Sequence, residues 1–295
     1  MTRPWFPRIP RFMVAEGPPP EPPTTPGWPN MDKLNAARGI EIGALYQGHN
    51  LIKTWGDADA FKTNWASCCR TWVASLWGIW ISDNGLDWLG RPMRDLPCHT
   101  AYRFPSDVLV KHVQSYTSIL RPPGHRWTYS NGDHWPWQNT CIGELFETTV
   151  DDACQQYLIN PMGASLQAVR NREDGTLRVY GSAKEQTKLA RMLLDNGWAN
   201  GMQLIAGPYA ERIVAGGPDG TGYPNPLEGY QTHLCKNGQA WELNMPRVPD
   251  LFMARDGSDD YNSGHGAIVG VESLNATFAY RGASPEKVFP YVFTT

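Results

Sequence analysis

The chain is poor in charge and lacks any segment suited to a membrane. Asp, Glu, Lys and Arg make up 19% of its 295 residues, and the formal net charge is −3. Nucleic acids and anionic membrane surfaces are bound by basic clusters, so neither is expected as a partner. No apolar run reaches the roughly 18 residues of a transmembrane helix. The opening Met1-Thr2-Arg3-Pro4-Trp5-Phe6-Pro7 lacks the apolar stretch of a signal peptide. The expected location is the cytoplasm. Metal-binding patterns are missing too: there is no C-x-x-C pair and no H-E-x-x-H, and the seven His are scattered. Neither a metal nor a cofactor is expected. Cysteines at 68, 69, 98, 141, 154 and 235 do not have the dense, even spacing of a disulfide scaffold, which predicts thiols.

What the sequence does have is apolar and aromatic material. Hydrophobic residues reach 41%, with 13 Trp, enough for a sizeable core. Ten of the 25 Pro fall in the first 30 residues, which precludes helix there and predicts an extended arm over 1–37. Trp5, Phe6, Phe12 and Trp28 within it point to an arm that lies in part on apolar surface. A single domain over 38–295 is expected to follow.

Gly39–Tyr46 and Gly48–Trp55 read as a hairpin. Residues 67–82 are apolar on nearly every side, as in a core helix, with Ser67 at the N-cap and a stop at Asp83-Asn84-Gly85. Further helices are expected at 106–119, 140–158 and 182–196. In the last, Ser182 and Glu185 are spaced as a capping box and Gly197 follows the end. Strands at 267–271 and 276–280 and a closing helix over 286–293 complete the reading. Strands at both ends and a helical middle, about 83–175, argue for an α+β fold.

Three segments could carry chemistry. In Ser67-Cys68-Cys69-Arg70, residues i and i+3 share a helix face, and the helix start offers N–H groups and partial positive charge to an oxyanion. Ser67 is either a nucleophile or only a cap, and Cys68 or Cys69 could form a thiolate there or be buried hydrophobes. Tyr129-Ser130-Asn131-Gly132-Asp133 offers a phenol for acid/base work and an amide to hold a carbonyl, or is an ordinary turn. Tyr261-Asn262-Ser263-Gly264-His265-Gly266 leads into a strand with little side-chain bulk, and His265 is either a substrate contact or a solvated turn residue. Trp127, Trp135 and Trp137 flank the Tyr129 segment, and at least some of them are expected to face the cleft and favour a flat or apolar ligand.

In this order and spacing, the chain resembles the serine β-lactamase and penicillin-binding-protein superfamily, and within it the class C-like branch of esterases and 6-aminohexanoate-dimer hydrolases. Ser67-Cys68-Cys69-Arg70, with Trp65-Ala66 before it, is similar to the S-x-x-K helix start, and Tyr129-Ser130-Asn131 to the Y-x-N loop. Pro123-Gly124-His125-Arg126-Trp127 and Pro161-Met162-Gly163-Ala164 look like flanking elements. Gly264-His265-Gly266 resembles the K-T-G or H-x-G strand, or the register places Tyr261 at the Lys position.

The resemblance covers about residues 38–290. It implies a β-lactamase/transpeptidase-like fold, an antiparallel sheet flanked by helices with an inserted all-α region and a cleft between. It further implies Ser67 as nucleophile and Tyr129 as acid/base. Asn131 would bind a small-molecule substrate, and Gly264 or His265 would line the oxyanion side; His134, Tyr261 and Trp127 are further candidates for substrate binding.

The departure is Arg70. A guanidinium stays protonated in proteins and cannot replace Lys as general base. Either Arg70 holds Tyr129 as a phenolate that deprotonates Ser67, or acylation has been lost and the cleft works by acid/base and electrostatic effects alone. The two functions expected are accordingly a serine hydrolase or acyltransferase on an ester or amide of a small apolar molecule, and a repurposed cyclase, isomerase or lyase of secondary metabolite biosynthesis. A binding protein without catalysis is the third.

Overall fold

A computed structural model gives the structure of residues 25–61, 65–114, 118, 122–123, 134–215, 230–231, 234–236, 251–256 and 266–293. The chain enters through a short helix α1 (Met31–Ala36), whose cap Asn30 accepts from the Lys33 N–H. The hairpin β1 (Ile42–Gln47) and β2 (Asn50–Trp55) follows, as the Gly-punctuated alternation predicts. A 3-10 turn over Ala66–Cys68 leads into α2 (Cys69–Asn84). This start corrects the expectation for Ser67: the N-cap position is Cys68, and no side chain caps the helix.

After short 3-10 turns at Leu86–Gly90, Met93–Asp95 and Thr100–Arg103 comes α3 (Val110–Gln114), shorter than the helix expected over 106–119. The helix expected at 140–158 is two helices. The first, α4 (His134–Leu145), starts a turn and a half earlier, and α5 (Val150–Cys154) winds on into a π turn over Gln155–Ile159. The break between them holds Glu147 at φ 54° and Thr149 as the new N-cap, a local Thr-to-backbone bond that apolar periodicity does not reveal.

A small hairpin, β3 (Gln167–Arg170) and β4 (Leu177–Tyr180), precedes α6 (Ala183–Leu194). Ser182 caps α6 by accepting from the Glu185 N–H at 3.2 Å. The reciprocal half of the capping box is replaced, because the Glu185 carboxylate accepts from the Ser165 N–H and from Lys188. Gly197 ends the helix at φ +86°, where an added Cβ would lie 2.0 Å from the Ile205 carbonyl oxygen, so only glycine fits. Then come β5 (Trp198–Ala199), β6 (Met202–Gln203), α7 (Gly207–Ala215), β7 (Tyr230–Gln231), β8 (Leu234–Lys236) and β9 (Leu251–Asp256). Last are β10 (Gly266–Val271), β11 (Ala276–Arg281) and α8 (Pro285–Val292), close to the predicted bounds.

The main sheet runs β2-β1-β11-β10-β9-β8-β7, with antiparallel neighbours throughout. Its two faces belong to different cores. Ala44, Phe252, Ala254, Ile268 and Ala279 pack toward α2 and α6. Leu45, Leu251, Met253, Val269, Phe278 and Tyr280 are closed over by α1 and α8. Trp28 joins this second core and donates from Nε1 to the Val292 carbonyl at 2.8 Å, so residues 25–37 of the expected arm lie on the domain. Trp5, Phe6 and Phe12 are outside the described residues.

Candidate active site

α2 is the element around which the candidate site is built. Every residue from Cys68 to Ile81 is buried, while Ser67, at the head of the helix, is not. Such a helix has no solvent side, and Ser75 Oγ bonds within it, donating to the Thr71 carbonyl at 3.0 Å. Truncating a core residue such as Leu76 to Ala would cost about 2–5 kcal/mol.

The head of α2 is pinned from two sides. Cys68 Sγ donates to the Ala254 carbonyl of β9 at 3.4 Å. Cys69 Sγ accepts from the Val179 N–H of β4 at 3.2 Å, and Trp65 Nε1 donates to the Gly181 carbonyl at 3.1 Å. Both thiols are fully buried. These contacts account for them as packing and bonding groups, in line with the buried-hydrophobe alternative. A strand at 251–256 was not expected from the sequence, although Leu251-Phe252-Met253-Ala254 after Pro249 is a short apolar run of the kind buried strands show.

Arg70, one turn beyond Ser67, is 2% exposed, and its guanidinium carbon lies 4.5 Å from the ring centroid of Trp135, itself 4% exposed. Burying a cation costs several kcal/mol, and the face of a Trp ring returns only about 0.5–2. The ring is therefore one part of the compensation. Trp135 is the second residue of α4, so this contact brings the start of α4 to the head of α2. Trp137, two residues on, packs elsewhere: it meets the Phe104 ring edge-on at 5.5 Å. Two residues along a helix is more than half a turn, and the two rings diverge.

Behind Arg70 the helices are tied by buried amides. Gln138 Nε2 donates to the Val113 carbonyl at 3.0 Å, and Tyr209 Oη donates to Gln114 Oε1 at 2.8 Å. Tyr209 comes this close to α2 because of Gly78, where an added Cβ would lie 2.8 Å from its ring. On the far side of α4, Glu144 accepts from both the N–H and the hydroxyl of Thr100 at 2.8 Å. There Cys98 and Cys141 share a hydrogen bond that lowers the first thiol's pKa and raises the second's. Cys68, Cys69, Cys98, Cys141 and Cys154 are thiols rather than disulfides.

Of the residues picked out in the sequence, Ser67 and Arg70 are thus placed at one end of α2. Trp127, Tyr129, Asn131, Tyr261, Gly264 and His265 lie outside the described residues, as does the side chain of His134. The flanks of their segments are described. His134 opens α4, and Asp256 pairs with Gly266, so residues 257–265 connect neighbouring positions on β9 and β10. Two positions before Asp256, β9 carries Ala254, the partner of Cys68. Among the described residues no group of His, Cys, Asp and Glu could hold a metal ion, and no helix is long and apolar enough to cross a membrane.

No protein-family model matches the chain, and no curated protein matches its sequence. Solved structures do. A beta-lactamase from Mycobacterium bovis is similar at a TM-score of 0.65 and 13% identity, over 89% of this chain and 96% of that one. A penicillin-binding-protein homolog from Caulobacter crescentus is similar at 0.65 and 13%, over 85% and 90%. A protein assigned as a 6-aminohexanoate-dimer hydrolase, from Bacillus anthracis, is similar at 0.62 and 12%, over 88% and 78%. With its antiparallel sheet flanked by helices and closed by strands from both ends of the sequence, the chain has the fold of beta-lactamases and penicillin-binding proteins.

Proposed function

We propose that the protein is a serine hydrolase or acyltransferase acting on an ester or amide of a small, apolar or aromatic molecule, with Ser67 as nucleophile. The observation that carries this reading is the exposure pattern at the head of α2. From 67 to 81 Ser67, beside the helix start, is the one residue that is not buried, and it sits on a turn held against β9. A hydroxyl there meets a substrate carbonyl at the helix start, whose partial positive charge favours the oxyanion.

Arg70 supplies fixed positive charge. In the proposed cycle it favours the phenolate of Tyr129, which takes the Ser67 proton as Oγ bonds to the carbonyl carbon. The carbonyl's bond to the alcohol or amine then breaks, and the leaving group takes the proton back from Tyr129. Water, or an acceptor alcohol or amine, repeats the two steps in reverse and frees Ser67. Asn131, His134, Trp127 and the Tyr261–His265 connection would bind the substrate. The names of the similar proteins, a beta-lactamase and a 6-aminohexanoate-dimer hydrolase, agree with acyl transfer from an amide.

Intact-mass analysis after treatment with a fluorophosphonate tests this reading. One equivalent of label is expected on the wild type and none on Ser67→Ala, and a wild type that stays unlabelled overturns it. The burial of Arg70 favours a second reading, a non-hydrolytic cyclase, isomerase or lyase that uses the same cleft without acylation. That reading expects no label on the wild type, and label appearing in Arg70→Lys as a general base is restored.

A further inference from the structure

The Arg70–Trp135 contact has a consequence for the reaction. Arg70 is held inside the protein, where its long side chain would otherwise sample several rotamers. The ring of Trp135 lies 4.5 Å from the guanidinium carbon, within cation–π reach, and favours rotamers that keep the cation over its face. The backbone that carries the ring is held in turn. Asn139, one turn along α4, donates to the Trp135 carbonyl at 2.8 Å and accepts from the Leu177 N–H at 2.8 Å, which moors this part of α4 to β4. Beta strand and helix head are also joined directly, through Cys69. Arg70 and Trp135 are therefore set on one frame.

From this we infer that Trp135 is a positioning residue: its ring face holds the Arg70 guanidinium in the one orientation that serves Ser67. The inference rests on the serine hydrolase reading above and assigns within it a residue that touches neither substrate nor nucleophile. It also gives an apolar aromatic side chain an electrostatic task, since the negative face of the ring, and not its volume alone, is what the cation requires.

The test is a ring series at position 135, read by the rate at which a fluorophosphonate labels Ser67. Tryptophans carrying one to four ring fluorines, introduced at this single site, weaken the negative face while keeping the shape. The labelling rate is expected to fall stepwise with fluorine number, to about a tenth of the wild-type rate. Trp135→Phe is expected to retain most of the rate and Trp135→Leu to lose as much as the most fluorinated ring. In an Arg70→Met background the fluorine series should be flat, because the effect passes through the cation. A flat series in the wild-type background, with labelling intact, overturns the role of Trp135 and leaves the hydrolase reading standing. No labelling of the wild type overturns that reading, and this inference with it.

Discussion

Cys68 Sγ donates to the main-chain carbonyl of Ala254 at 3.4 Å, so the residue after Ser67 is fastened to β9. The pocket that takes this thiol is fully closed. A larger side chain there must push the 3-10 turn off the strand, whereas a smaller one leaves it seated. Cys68→Leu is expected to lose about 1–3 kcal/mol by overpacking and to slow labelling of Ser67. Cys68→Ala should cost less and keep the labelling rate. Denaturant melts and labelling time courses on the two variants check this, and equal labelling in both would show that the turn does not depend on the contact.

Gly78 is a second point where one methyl group decides the packing. Alanine normally stabilises a helix interior by about 1 kcal/mol relative to glycine. Here its Cβ would lie 2.8 Å from the Tyr209 ring and 2.9 Å from Ile205. We expect overpacking, about 1–3 kcal/mol, to win, so Gly78→Ala melts lower than the wild type. Tyr209→Phe removes the donor to Gln114, whose Nε2 already has no partner. That variant should lose about 1–3 kcal/mol. A rise in melting temperature for Gly78→Ala would mean that α7 yields freely.

Ser182 is a cap whose side-chain oxygen accepts from the Glu185 N–H. Ser182→Ala is expected to lose about 0.5–2 kcal/mol by denaturant titration. Glu185→Gln should act at another place, because its carboxylate bonds to Ser165 and Lys188 rather than closing the box. The two losses should therefore add, and strong coupling between them would contradict the separate partners.

Asp83 gives the fold a pH dependence. It lies in the last turn of α2, where the residue is exposed overall but its carboxyl is partly desolvated, which raises its pKa from 3.8 to about 6. The C-terminal end of the helix, with its partial negative charge, acts in the same direction. An acid whose folded pKa stands above the unfolded one favours the fold only when protonated. The benefit is present below about pH 4 and is lost as pH rises through 6. Asp83→Asn should then melt higher than the wild type at pH 7.5, with the difference vanishing near pH 4. A constant difference across that range would place the cause elsewhere.

Much of the fold is legible in the sequence where local chemistry and tertiary packing agree. The all-apolar α2, the Ser182 cap and the Ala267–Val271 and Ala276–Tyr280 strands are of this kind. What stays hidden depends on partners far along the chain. The start of α2 moves past Ser67 because the turn is held by Trp65 and Cys68 against Gly181 and Ala254, and no local pattern announces those bonds. The break between α4 and α5 comes from one Thr cap within a stretch of helical composition. At the candidate site the sequence pointed to Ser67 and Arg70 by their spacing. It could not show that Arg70 is buried, or that of two neighbouring tryptophans Trp135 covers it while Trp137 turns to Phe104. β9 was missed because six residues of mixed apolar and charged character carry little signal without the β10 partner beside them.

The main sheet joins β1, near one end of the sequence, to β11, near the other, with Ile42 opposite Arg281. During synthesis the β1–β2 hairpin must therefore wait, with one side of β1 unpaired, until β11 has emerged. Closing so long a loop is entropically slow, and an open strand side is a template for pairing with other chains. The head of α2 shares this fate, because β9, which seats it, is also made late. Folding of the α2–α6 region can begin early, but the place where Ser67 meets the sheet is completed only when the last strands arrive.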